Sequence, residues 1–209
     1  MTKATPKSKT NKKFKILAAG DFHGDSSATK KLAEKAEKEK VDLVILTGDI
    51  TSPLETKNLL KPFIDKEKRV VFVPGNWDST ETINFLSNLY GIKNVGDHYV
   101  KYDNVGIFGV GSPDWQMELD EKRTYDKLKK DFEKIKDLEK KIMVSHLHAA
   151  GTKSEFSGVA GSEALRKAIE TFQPDVFLSG HIHEGEGLYE KIGKTRVFNV
   201  GKKGTIIEL

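Results

Sequence analysis

Five short segments of this 209-residue chain concentrate side chains able to hold a metal ion: GDFHGD (20–25), TGDI (47–50), PGNWD (74–78), SHLH (145–148) and SGHIH (179–183). The last places two of the chain's six histidines two residues apart. On an extended backbone, positions i and i+2 face the same side, so His181 and His183 are expected to present two imidazoles to one small volume. That is a common way to build a metal site. Taken singly, GD or GN after a strand is ordinary turn chemistry. The repetition of Asp, Asn and His in five segments argues that they act together.

The elements that would carry these segments are legible. Short apolar runs alternate with Lys- and Glu-rich amphipathic stretches, the pattern of βαβ units. Strands are expected at FKILAAG (14–20), VDLVILTG (41–48), RVVFVPG (69–75), near 98–102 and 105–110, at KKIMVSH (140–146) and at PDVFLSG (174–180). Helices are expected over 27–40, with a Ser at the N-cap, near 54–67, and over 79–91, 121–138 and 162–172. After residue 185, strand-like runs separated by GK and GKKG suggest closing hairpins. The expectation is a layered α/β domain with mixed sheets, one domain over 14–209. All five segments then sit just past strands, and ligands of open α/β sheets gather at strand carboxyl ends.

Composition narrows the chemistry. There is no cysteine, which removes disulfides, thiolate metal sites and thiol nucleophiles. The formal net charge is +4, but residues 1–13 hold five lysines and no acid, and without them the rest stands at −1. Residues 1–13 therefore read as a disordered basic tail, and the body offers no basic stripe for nucleic acid. No apolar run approaches a membrane span, and the N-terminus lacks the apolar core of a secretory signal, so a soluble, cytoplasmic protein is expected. The preference for lysine over the four arginines, with two glutamines, is a bias often seen in proteins from hot environments.

In this order, Asp-x-His, Gly-Asp, Gly-Asn, His and Gly-His-x-His, the chain resembles the calcineurin-like metallophosphoesterases. The segment GSEALRKAIETFQPDVFLSGHIHEGEGLYEKIGKTRVFNVG resembles the small prokaryotic, archaeal-type branch. The resemblance implies an α-β-β-α sandwich with two mixed sheets and a binuclear metal-dependent phosphoester hydrolase. It implies one ion on Asp21, His23 and His183, another on Asn76, His146 and His181, and Asp49 bridging them. Mixed oxygen and imidazole donors suit borderline divalent ions, manganese first, with iron, nickel or zinc as alternatives. Such a pair activates water for direct attack on phosphorus.

One position departs from the family pattern. Many members carry histidine after the asparagine of the third segment, whereas this chain has Trp77, which cannot act as a general acid. His148 is the candidate replacement, joining Asp49 and Asn76 as catalytic candidates. Asp78 and Glu184 are candidates to orient ligands, while Ser162 and Arg166 are expected to be structural and His98 is given no role. The substrate is expected to be a small phosphodiester, nucleotide-like substrates included. A small phosphomonoesterase, a non-catalytic metal-binding scaffold and a DNA-repair nuclease are the other readings, and the oligomeric state is open. The variable segments 112–127 and 149–162 are expected to decide substrate choice.

Overall fold

In the computed structural model, which describes residues 13–53, 55, 57–96 and 98–209, two sheets stack face to face. The basic tail expected at 1–13 lies outside the described residues apart from Lys13. In chain order the elements are β1 (Lys15–Ala19), α1 (Ser26–Lys38), β2 (Leu43–Leu46), α2 (Lys61–Asp65), β3 (Val70–Phe72), α3 (Thr80–Tyr90), β4 (Lys93–Asn94), β5 (Val100–Tyr102), β6 (Val105–Val110), α4 (Glu121–Glu133), β7 (Lys140–Ser145), α5 (Glu163–Phe172), β8 (Val176–Ser179), β9 (Tyr189–Ile192), β10 (Thr195–Asn199) and β11 (Thr205–Glu208). The first sheet runs β11-β1-β2-β3-β4 and the second β5-β6-β7-β8-β10-β9. Each has a parallel centre with antiparallel strands at its edges, β11 in the first sheet and β5 and β9 in the second.

Period-two alternation sorts the core into layers. Ile16, Ala18, Leu43, Ile45 and Val71 face the other sheet, meeting Ile107, Ile142, Val144, Val176 and Leu178. Their neighbours Leu17, Ala19, Val44, Leu46 and Phe72 point outward onto Leu32, Ala36, Phe63, Ile83 and Leu86 of α1, α2 and α3. On the far side, Phe108, Met143 and Phe177 pack against Leu128 of α4 and Leu165 and Ile169 of α5. Because both faces of the central strands are covered, these strands read as continuous apolar runs. The result is the expected α-β-β-α sandwich.

The differences from expectation have local causes. The cap of α1 is Asp25, whose carboxylate accepts from the Ala28 amide at 3.0 Å, so the helix starts earlier than a Ser cap would set. Helix α4 stops at Glu133 instead of 138. Tight turns between 131 and 138 follow it and bury Ile135, beside which Gly106 leaves no room for a Cβ. Helix α2 is short, and part of the longer helix expected near 54–67 lies outside the described residues. Only the first of the closing turns makes a hairpin. Strand β10 has β9 on one edge and β8 on the other, so β11 crosses to the free edge of β1 in the first sheet. No helix among the described residues is long and apolar enough to cross a membrane.

Ile45 is fully buried between the sheets. Ile45→Ala is expected to lower unfolding free energy by about 2–5 kcal/mol in urea titration, through lost burial and a residual cavity. A change below about 1 kcal/mol would mean that the inter-sheet layer does not carry the fold.

Candidate metal centre

The five segments follow β1, β2, β3, β7 and β8, and all come together at one end of the sandwich. The two sheets are tied there by hydrogen bonds. His146 Nδ1 lies 2.9 Å from the Thr47 carbonyl, and the His181 amide donates to Asp21 Oδ1 at 3.0 Å. Glycines at the strand ends, Gly75 and Gly48 among them, allow this close approach. A Cβ on Gly75 would lie 2.2 Å from Asp49 Oδ1, and one on Gly48, at φ +100°, would lie 2.6 Å from the Gly75 nitrogen. Asp21, His23, Asp49 and His181 themselves have φ between 47° and 70°. Non-glycine residues take up this region at a cost of order 1–3 kcal/mol each, and such strain gathers at functional sites.

Asp21, His23, Asp49 and His183 bring ligand atoms within 4.8 Å of one another. His23 Nε2 and His183 Nε2 are 3.1 Å apart. On the other side, His146 Nε2 lies 2.9 Å from Asn76 Oδ1, and the rings of His146 and His181 are centred 5.1 Å apart. Asp49 lies between the two groups, its Oδ2 being 3.5 Å from both His23 Nε2 and His146 Nε2. The paired histidines are therefore divided, His183 meeting His23 and His181 meeting His146. This division does not come from an extended strand, because β8 ends at Ser179, His181 has φ 70° and a 3-10 turn begins at His183.

These donors fit divalent cations. A carbonyl only accepts, so His146 Nδ1 carries the proton and Nε2 turns a bare lone pair towards Asn76 Oδ1 and Asp49 Oδ2. Asp21 Oδ2 is buried with no hydrogen-bond partner among the described residues. Lone pairs gathered in this way repel one another until a cation sits among them. Burial pushes the Asp21 carboxyl up to about 8, the His181 amide acting against this and the neighbouring Asp49 adding to it. Burial likewise raises Asp49 to about 6 and lowers His23, His146 and His181 to about 4, so the imidazoles are neutral and ready to ligate.

Asp78 is the support beneath the cluster. It is fully buried and accepts from the Gly75, Ile50 and Thr51 amides and the Thr51 hydroxyl at 2.8–3.2 Å. It thereby locks the Asp49 loop to the Asn76 loop. Burial raises its pKa to about 6 against these hydrogen bonds. His148 is buried, its Nε2 proton directed at the Val159 carbonyl 3.2 Å away, with Nδ1 unpartnered; burial holds its pKa below the ordinary range. Glu184 and His98 are exposed. Ser162 caps α5 through the Leu165 amide, and Arg166 pairs with Glu170, both structural placements. Sequence reasoning missed Trp115, which packs on Trp77 with ring centroids 4.8 Å apart. The available signal was that an exposed loop holds the chain's only other tryptophan.

A layered α/β sandwich with His, Asp and Asn gathered at its strand ends defines a class of fold with a candidate metal site at the strand carboxyl ends. The sequence profile described as calcineurin-like phosphoesterase matches residues 14–185, and the chain belongs to that family of metal-dependent phosphoester hydrolases. No curated protein matches it significantly. Among solved structures, TT1561 of Thermus thermophilus superposes with a TM-score of 0.72 at 20% identity over 91% of each chain. A dimetal phosphatase from Danio rerio gives 0.62 at 14% identity over 90% of this chain and 88% of that one. A novel archaeal phosphodiesterase gives 0.54 at 19% identity over 93% and 99%. At these identities the likeness is one of fold.

Two outcomes follow from this geometry. Asp78→Ala would leave three backbone donors buried at about 1–3 kcal/mol each, so urea titration should show a loss of about 3 kcal/mol or more, with metal affinity down about 10–100-fold. Binding a cation also requires Asp21, held up at about 8, and Asp49, at about 6, to be ionised. Protons therefore compete: Mn²⁺ affinity measured by chelator competition should rise about tenfold per pH unit from 6 to 8 and level off above. A flat profile over that range would contradict the assignment of Asp21.

Proposed function

We propose that the chain is a phosphodiesterase working with two divalent cations, manganese by preference, on small phosphoesters. Asp21, His23 and His183 would hold one ion, Asn76, His146 and His181 the other, and Asp49 would bridge. The observation that carries this reading is the position of Asp49 Oδ2, 3.5 Å from an imidazole nitrogen of each group. Its partner oxygen, Oδ1, accepts the Trp77 amide at 2.9 Å, which turns Oδ2 into the cluster. Such ions, when bound, supply positive charge to the phosphoryl oxygens and acidify a water for in-line attack.

The rest is done by the chain's own residues. The Thr47 carbonyl fixes the His146 tautomer, and the His181 amide orients Asp21. The indole of Trp77 stands edge-on to His23, ring centroids 5.3 Å apart, and limits how that imidazole can turn. Trp77 cannot protonate a departing alcohol, and His148, the residue expected to do so, has its Nε2 proton directed at the Val159 carbonyl. The leaving group would therefore take its proton from solvent, which favours esters whose alcohol departs as a stable anion. The diester preference is also supported by the similarity in fold to the archaeal phosphodiesterase, and the pair of ions by that to the Danio rerio dimetal phosphatase.

With Mn²⁺ present, bis(p-nitrophenyl) phosphate should be hydrolysed faster than p-nitrophenyl phosphate. A chelator should abolish turnover, and Asp49→Asn should lower it at least about a hundredfold, beyond what loss of an outer partner of a ligand causes. Faster cleavage of the monoester would overturn the diester reading. Full activity in Asp49→Asn would overturn the bridging role.

A further inference from the structure

Trp77 and Trp115 are 41% and 60% exposed and pack on each other, which makes a contiguous apolar patch instead of scattered surface residues. They form a tilted pair beside the metal centre, since Trp77 contacts His23 and its amide bonds Asp49. The exposed position of Trp115 is built by the chain. Asp114 and Trp115 both lie in the left-handed region, at φ 60° and 65°, where a bulky side chain is an outlier. They are held there by the Asp114 amide donating to the Asp78 carbonyl, the Trp115 amide donating to the Asn76 carbonyl, and the Asp114 carboxylate accepting from Thr80. Two of those anchors belong to the segment that carries Asn76 and Asp78. Strain held in place to present an indole is a mark of function.

A cavity of about 210 Å³ adjoins the pair, lined by both indoles with Asn76, Ser79 and Thr82. It is smaller than the roughly 300 Å³ of a complete small-molecule site, so it takes one ring of a ligand. The Thr82 hydroxyl at its wall accepts from Ser79 at 2.9 Å and keeps its own proton to donate, which suits a ring with hydrogen-bonding edges better than a hydrocarbon. We propose that Trp77 and Trp115 form a stacking site for a nucleobase, so that the phosphoester presented to the metal centre is a nucleotide diester whose second ester group is the better leaving group. This rests on the phosphoesterase reading for the placement of the phosphate, whereas ring binding itself is tested independently of turnover.

These are the only two tryptophans of the chain, so all tryptophan emission reports on this site. Full-length protein loaded with Zn²⁺ would be titrated with AMP and, separately, with ribose 5-phosphate. AMP should quench the emission saturably and bind about tenfold to hundredfold more tightly than ribose 5-phosphate, the range expected for stacking one base. Trp115→Ala, read through the remaining Trp77, should remove that margin, and Trp115→Phe should restore most of it. Equal binding of the two ligands, or an AMP margin unchanged in Trp115→Ala, would overturn the proposal. Turnover of methyl p-nitrophenyl phosphate, which lacks a base, separates the two readings. Turnover without base selectivity removes the stacking site and leaves the hydrolase, while base selectivity without turnover does the reverse.

Discussion

Asp21 and Asp49 are carboxyl groups buried side by side, and among the described residues no lysine or arginine pairs with either, the basic nitrogens within 4.0 Å being those of histidines. Ionising both without a cation would be expensive, and that cost appears as carboxyl pKa values raised to about 8 and about 6. The surrounding structure is organised to maintain the pair. Two sheets end at the same edge, glycines at 48 and 75 let strand ends touch, and backbone strain turns Asp21, His23, Asp49 and His181 inward. Asp78 fastens two of the loops together from below. On the proposed reading, divalent cations would offset that cost, and metal binding and local order would form a single equilibrium.

The loop of the third segment connects that constraint to substrate choice. The turn that sets Asn76 and buries Asp78 also places Trp77 against His23 and, through two backbone hydrogen bonds, carries Trp115. Replacing a potential proton donor with an indole therefore changes two properties at once. On the proposed function, it would withdraw acid assistance from the leaving group and add an aromatic surface beside the candidate metal centre. Under that proposal, both changes would favour a substrate with a good leaving group and a planar ring.

Much of this was legible in the sequence because the central strands are buried on both faces and read as plain apolar runs ending in Gly, Asp, Asn or His. The five segments, the seven candidate ligands and the four-layer architecture could be named from those strand ends and the family they resemble. What escaped reading depends on contacts far apart in the chain. The crossing of β11 to β1 follows from β10 having both edges occupied, which no local pattern reveals. The two-residue β4 is too short for periodicity. Asp25 outcompetes Ser as the cap of α1 by geometry alone. The commitment of His148 to Val159 depends on how the 149–162 loop returns, and the pairing of Trp115 with Trp77 on two left-handed residues without glycine.

The most direct test of the central claim is anomalous diffraction from crystals of the protein grown with Mn²⁺. Two peaks about 3.5–4 Å apart, one among Asp21, His23 and His183 and one among Asn76, His146 and His181, with Asp49 between them, are predicted. A single peak, or manganese found only away from the strand ends, would contradict the account.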